Sequence, residues 1–316
     1  MKKLEREALM ADQEAVRGLL RDLSPNDPIG RLSFGSRLSE IEEQLRRLAG
    51  RPDHAGAVAL LFGGDPVFGS RSIDAEFASK AIGTFQDLIT KSIAGEEYGR
   101  LGERGPIPLR TAAALSVKEI VRGSVGFVLE ESERTEPLAD TAVKKAIDDV
   151  TAIIARTAAE NIEAFEQAAE TLDGRVLVSL RHFFRALDDN SASVRIVEDE
   201  RDEVLDIAAV RRARQRVDLM DIEEHESDAV IGDLLGVLPD SRRFEMRLAD
   251  SGEIIRGPVA SAYARHYLEE LIARPGPEGL IGRRWRAKMK IREIRERNKP
   301  PRHLYTLLGL IEPIGN

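Results

Sequence analysis

Cationic and apolar residues alternate between positions 283 and 292, near the end of the chain. Successive side chains of a β-strand point to opposite faces, so this alternation predicts a strand with one cationic and one apolar face. Cations that share a face would recur about every 6.6 Å, close to the phosphate spacing of an extended nucleic-acid strand. The predicted cationic face comprises Arg284, Arg286, Lys288, Lys290 and Arg292, and the apolar face comprises Trp285, Ala287, Met289 and Ile291.

Two interpretations of this cationic strand stay open. Arg295 and Arg297 extend the charge, and positions 283–302 hold ten cations against two anions. Such a face would suit the phosphates of a single-stranded nucleic acid or the surface of an acidic protein. The acidic run at 221–228 supports the second interpretation, in which cross-strand ion pairs neutralise a purely structural face.

A turn at 62–72 is the most unusual short segment, because three glycines and a proline surround Asp65. Free backbone amides beside a helix N-terminus could hold an anion there, and Asp65 and His54 could serve as acid and base. The alternative is structural: a tight hairpin turn followed by a helix that is capped by Ser72.

Linear motifs for common cofactors are missing. The sequence contains no G-x-x-x-x-G-K-[ST] or G-x-G-x-x-G phosphate loop, and its five histidines are scattered rather than spaced as H-E-x-x-H. The absence of cysteine excludes disulfides, thiolate metal sites, iron–sulfur clusters and a cysteine nucleophile. We therefore predict no cofactor and no metal.

Composition limits the class of protein. The chain has 316 residues, 42% of them hydrophobic, and a formal net charge of −8. This hydrophobic fraction is too high for a disordered chain, and no apolar run approaches the roughly 18 residues that a membrane helix needs. The charged N-terminus lacks the apolar core of a signal peptide, so we expect a cytoplasmic protein without membrane contact.

Apolar residues at helical spacing predict a hairpin of two helices over residues 1–50. The helices are expected at 3–23 and 36–49, with Ser36 as the N-cap of the second. Their apolar stripes suit packing against the rest of the chain or formation of a homodimer.

Residues 51–190 are predicted to form an α+β domain with a helical C-terminal part. The order of strands and helices favours a small antiparallel sheet backed by helices. A connector at 191–216, with a short strand and an arginine-rich helix, is expected to follow. The predicted strands lie at 57–62, 67–68, 115–121 and 125–130, and the helical stretches lie at 73–94 and 136–188.

Residues 217–316 are predicted to form a small β-barrel. Three strands, a helix at about 259–273 and two further strands follow one another, which is the order of a five-stranded OB-like barrel. An Sm-like barrel or a partly open sheet would leave similar traces. On an OB-like barrel, Phe244 or Tyr305 could stack on the bases of a bound strand.

Three segments carry a resemblance to a family. The chain resembles a group of uncharacterised bacterial proteins of about this length. The resemblance implies a bacterial source and a single architecture for the three segments, and it implies no activity. The segments are Gly64-Asp65-Pro66-Val67, Gly69-Ser70-Arg71-Ser72-Ile73 and Gly123-Ser124-Val125-Gly126-Phe127-Val128-Leu129-Glu130-Glu131.

These observations favour a non-enzymatic binding or regulatory protein. Its predicted barrel would contact nucleic acid or an acidic partner through the cationic strand. Two alternatives remain: an enzyme with its site at the Gly63–Ser72 turn, and an assembly protein that acts through protein–protein contacts alone.

Overall fold

The computed structural model shows an α+β protein of two compact units, Met1–Val217 and Asp218–Asn316. The predicted α+β class is thus confirmed, and the chain changes unit beside the predicted boundary at 217. The structure describes residues 2–24, 27–49, 54–69, 72–98, 113–121, 125–132, 139–170, 172–199, 201–238, 241–260, 280–297 and 299–314.

Two antiparallel helices, α1 (Lys2–Asp22) and α2 (Pro28–Ala49), form the predicted N-terminal hairpin. Helix α2 begins eight residues earlier than predicted, so Ser36 lies inside it and is not its cap. Asp27 takes that role, because its carboxylate accepts a hydrogen bond from the Gly30 amide at 2.9 Å. Pro28 follows at the first helical position. A backbone N–H at this position has no acceptor within the helix, so the missing N–H of proline costs nothing there.

Five antiparallel strands form the sheet of the first unit. They are β1 (Ala57–Gly64), β4 (Leu115–Val121), β5 (Val125–Glu131), β6 (Ala192–Glu198) and β7 (Arg201–Leu205), in the order β4-β5-β1-β6-β7. The central β1 is almost wholly apolar and buried, as a strand between two neighbours requires. The segment 191–216 is therefore more than a connector, since it supplies two strands of this sheet.

Five helices accompany this sheet: α3 (Ala75–Tyr98), α4 (Ala142–Ala158), α5 (Ile162–Ala169), α6 (Gly174–Asp188) and α7 (Ile207–Leu219). Helix α3 packs against α4 and α6 around the rings of Phe85, Phe183 and Phe184. Asp74 caps α3 by accepting from the Phe77 amide at 2.8 Å. The predicted cap, Ser72, lies instead in β3 (Ser72–Ile73), which pairs with β2 (Val67–Phe68).

The start of α1 packs on one face of this sheet. Leu4 contacts a buried cluster, and Lys3 forms an ion pair with Asp202 of β7 at 3.1 Å. The hairpin thus contributes to the core of the first unit, while the homodimer expected through residues 1–50 stays a prediction. The cluster under Leu4 comprises Ala59, Leu61, Val128 and Val197.

A second antiparallel sheet of five strands forms the second unit. Its strands are β8 (Met220–Leu238), β9 (Arg243–Leu248), β10 (Ile254–Pro258), β11 (Arg284–Glu296) and β12 (Arg302–Pro313), in the order β10-β9-β8-β11-β12. The long strand β8 pairs with β11 along its first part and with β9 at its end. It begins eight residues before the strand predicted at 228–238.

The two outer strands of this sheet approach each other. Val259 forms a parallel bridge with Leu307 of β12, and the Ala260 amide donates to the Leu307 carbonyl at 2.9 Å. The helix predicted at 259–273 falls, from residue 261 onward, outside the described residues. Within the described part of the chain, no helix is long and apolar enough to cross a membrane.

Candidate functional site

The apolar face of β11 lies against the core of the second unit, as predicted. Ala287 and Met289 are fully buried there, and Trp285 and Ile291 pack against the same cluster. A β-bulge at Lys288 interrupts the pairing of β11 with its neighbours without moving these four side chains off the core.

The cationic face of β11 is less accessible than its sequence suggests. The exposed fraction of the side chain falls from 44% at Arg286 and 42% at Lys288 to 22% at Lys290 and 2% at Arg292. Arg292 is therefore buried and, contrary to the prediction, cannot contribute to a binding surface.

Carboxylates already neutralise the cations of β11. The acidic first half of β8 pairs with β11 strand to strand, which places its carboxylates beside the cations. Lys288 holds the pKa of Glu226 below its usual value through a direct hydrogen bond, and Arg284 does the same for Asp233. The ion pairs are Arg284–Asp233 (2.9 Å), Arg286–Glu312 (2.8 Å), Lys288–Glu226 (2.8 Å), Lys290–Glu224 (3.1 Å), Arg292–Glu224 (3.5 Å) and Arg295–Glu293 (2.8 Å).

A different set of arginines, on β9 and in the turn before it, is exposed and forms no ion pair with a described carboxylate. Phe244 and Met246 point into the core, so Arg243 and Arg247 point to the outer face of β9. Arg242 lies in the preceding turn, where its backbone adopts a left-handed φ of 49°. No described carboxylate lies within ion-pair distance of these three arginines, although the charge of Arg247, opposite Asp233 in the sheet, helps to lower the pKa of that carboxyl. We call Arg242, Arg243 and Arg247 the β9 arginine surface.

Two described carboxylates close to these arginines in the sheet are engaged with other arginines. Asp233 lies opposite Arg247 in the sheet, but both of its oxygens accept from Arg284, at 2.9 and 3.2 Å. Glu245 lies on β9 itself and pairs with Arg256 of β10 at 2.6 Å. Charged and apolar residues alternate from 243 to 247, and this alternation could have indicated the surface. Whether its arginines are free to bind a ligand depends on strand pairing, which the sequence does not show.

The two aromatic residues considered for base stacking are not free. Phe244 is 1% exposed within the core, so it cannot stack on a ligand. Tyr305 is half-buried against the same core, and burial raises the pKa of its hydroxyl. Arg297, the last cation predicted for this site, is exposed and forms no side-chain ion pair with a described residue.

Asp65 and His54 are not brought together. They flank opposite ends of β1, whose eight residues span about 26 Å. Asp65 is exposed in the turn after β1, whereas the Nδ1 atom of His54 lies 2.7 Å from the Oδ1 atom of Asp140. Gly64 adopts a φ of 93° in this turn, and a side chain there would overlap the Ser191 carbonyl. The turn thus requires glycine at position 64, and the catalytic pairing of Asp65 with His54 has no support in this geometry.

A buried carboxyl group that the sequence analysis missed lies at the end of β6. The side chain of Glu198 is 3% exposed, and its Oε1 atom lies 3.5 Å from the Nε atom of Arg201. Burial, followed by the nearby carboxyl of Asp148, raises the pKa of Glu198 to about 8. Lys144 is close by but binds Asp199, at 3.0 Å.

Within the described part of the chain, no group of three or more His, Asp or Glu side chains is arranged to hold a metal ion. Comparison with protein-family models, with curated proteins and with solved structures finds no match for this chain.

Proposed function

We propose that the second unit is an OB-like β-barrel that binds single-stranded nucleic acid through the β9 arginine surface. The first part of this proposal rests on topology. The strand order β10-β9-β8-β11-β12, with a parallel contact between the outer strands at Val259 and Leu307, corresponds to the circular order of an OB barrel. In an OB barrel a helix follows the third strand, and the segment between β10 and β11 occupies the same position in the chain order.

The location of the uncompensated arginines carries the second part of the proposal. OB barrels bind oligonucleotides on the face of their second and third strands and on the loop that follows the first strand. In this unit those elements are β9, β10 and the turn that contains Arg242. Guanidinium groups without a carboxylate partner can bind phosphate oxygens in bidentate fashion and without breaking an existing ion pair.

The cations of β11 are less suited to this task. Each of Arg284, Arg286, Lys288, Lys290 and Arg295 would have to exchange a carboxylate for a phosphate, which gains little net free energy. The sequence predicts a binding face on β11, but in this proposal the cations of β11 stabilise the sheet through their ion pairs. Arg297 in the turn after β11 remains available as an additional phosphate contact.

Fluorescence polarisation with labelled single-stranded DNA, single-stranded RNA and duplex DNA tests the proposal. The variant Arg242→Ser/Arg243→Ser/Arg247→Ser should weaken single-strand binding at least about tenfold, because each lost phosphate contact costs affinity. The matched control Arg286→Ser/Lys288→Ser/Lys290→Ser removes the same charge from β11 and should bind within about threefold of the wild type.

Three outcomes would contradict the proposal. The first is no single-strand binding at low salt, and the second is equal weakening by the two variants, since net charge alone would then govern binding. The third is equally tight binding of poly-glutamate, which would assign the surface to an acidic protein. Thermal melting of each variant establishes that it is folded.

A further inference from the structure

The helices of the first unit enclose a cleft that the nucleic-acid proposal does not use. Its volume is about 440 Å³, within the range of small-molecule sites. Lys91, Ser92 and Gly95 of α3 form one wall. The remaining lining comes from α4, α5, α6 and the two residues that precede α6. The apolar side chains of this lining include Val150, Ile153, Ala168, Leu172 and Val176.

Lys91 is a half-buried ammonium group in the wall of this cleft. Its Nζ donates a hydrogen bond to the Oγ of Ser179, which is itself 1% exposed. No described carboxylate lies within ion-pair distance of Lys91, and desolvation lowers its pKa despite the more distant charges of Asp87 and Asp173. An ammonium group has three donors, so Lys91 can bind a further acceptor.

The other charged residues of the cleft leave this role to Lys91. Asp173 caps α6, because its Oδ1 accepts from the Arg175 amide at 2.8 Å. Asp149 also lines the cleft and takes part in an interaction of its own. Arg156 is an exposed second cation of the lining, and no described carboxylate lies within ion-pair distance of it.

Open space beside Gly95 shows where a ligand could lie. A Cβ atom built at Gly95 meets no described atom within 4 Å, although the residue lies inside helix α3. A side chain at this position would meet no described atom, and replacing a glycine inside a helix also removes a cost in helix propensity. The cleft therefore combines an apolar wall, an ammonium group that has no ion-pair partner among the described residues, and room for a small molecule.

We propose that this cleft binds a small organic carboxylate, whose carboxylate group pairs with Lys91 and whose apolar body packs on Val150, Ile153 and Val176. The pairing supplies a charged acceptor to an ammonium group whose described hydrogen-bond partner is the neutral hydroxyl of Ser179. This site is independent of the β9 arginine surface, because it lies wholly within the first unit.

Isothermal titration calorimetry of the full chain with octanoate, 3-phenylpropionate and octanol tests this proposal. At least one of the two acids should bind more tightly than octanol, which has a similar apolar body but no charge. Lys91→Met should weaken the binding of that acid at least about tenfold by removing the counter-ion. Gly95→Leu should abolish binding by filling the cleft while leaving every charge in place.

Two matched controls lie on the same helix outside the cleft lining. Lys80→Met removes an exposed charge, and Gly83→Leu adds a side chain where a Cβ also meets open space; neither should change the affinity. Equal binding of octanol and the acids, unchanged affinity of Gly95→Leu, or failure of both acids to bind the wild-type chain would overturn the proposal.

Discussion

At the scale of single residues, Glu198 shows how burial changes the chemistry of a carboxyl group. Its side chain is nearly inaccessible, and burial together with Asp148 raises its pKa to about 8. The folded chain therefore retains a proton at neutral pH that the unfolded chain, with an ordinary Glu pKa of 4.5, releases. Because the folded state binds the additional proton, its stability falls as the pH rises through this window.

We predict that Glu198→Gln removes this dependence. The free energy of unfolding of the wild type should fall between pH 4.5 and about 8, and glutamine, which stays neutral, should make the profile flatter. At pH 8.5 the variant should be more stable by up to about 5 kcal/mol, because each unit between the unfolded and folded pKa of Glu198 is worth about 1.4 kcal/mol. Urea unfolding at several pH values measures both profiles, and parallel slopes would show that Glu198 does not titrate in this window.

Single residues also mark the limit of what the sequence could predict about the site. The sequence shows where cations are dense, and it therefore predicts the binding face on β11. Whether a cation is available depends on which carboxylate lies beside it, and Asp233 illustrates this: it faces Arg247 on one neighbouring strand and binds Arg284 on the other. Such a choice follows from register and side-chain geometry, which no linear pattern contains.

At the scale of elements, the meeting of β10 and β12 depends on a glycine. The Cβ of any other residue at Gly257 would overlap the carbonyl oxygen of Tyr305, so only glycine allows the two strands this approach. Gly236, in strand β8, faces open space instead. The two glycines therefore provide a matched pair for testing whether this contact stabilises the second unit.

We predict that Gly257→Ala destabilises the second unit by at least about 2 kcal/mol, since the backbone must shift to admit the methyl group. Gly236→Ala, in which the methyl group meets no atom, should change the stability by less than about 1 kcal/mol. Chemical denaturation followed by Trp285 fluorescence measures both. Equal effects of the two substitutions would mean that the approach of β10 to β12 contributes nothing to stability.

Elements were predicted best where local periodicity is strong. The apolar stripe of α4 repeats with the helical period of 3.6 residues, and this helix lies within the helical stretch predicted at 136–188. The continuous apolar run of β1 is typical of a buried strand, and β1 lies at the position predicted at 57–62. The first half of β8 lies before the strand predicted at 228–238, because residues 221–226 are mostly acidic and have low strand propensity, but the cross-strand ion pairs expected between the acidic run and the cationic strand are present. The acidic residues form a strand because β11 supplies the cations opposite them, which is a long-range cause.

At the scale of the whole molecule, net charge opposes the proposed function. The chain carries a formal charge of −8, and its second unit holds 16 Lys and Arg against 17 Asp and Glu. Long-range attraction therefore cannot account for binding of a polyanion. If single strands bind, a few uncompensated cations must contact phosphates directly, and the number of contacts is accessible from the salt dependence of binding.

The salt dependence of single-stranded DNA binding is the most direct measurement of this central claim. With phosphate contacts from the three residues of the β9 arginine surface, the logarithm of the association constant should fall with the logarithm of salt concentration at a slope of about −2. Arg242→Ser/Arg243→Ser/Arg247→Ser should reduce the magnitude of the slope by about 2, which leaves at most the contribution of Arg297, and Arg286→Ser/Lys288→Ser/Lys290→Ser should leave the slope unchanged. A slope that persists in the first variant and disappears in the second would contradict the account and return the binding face to β11.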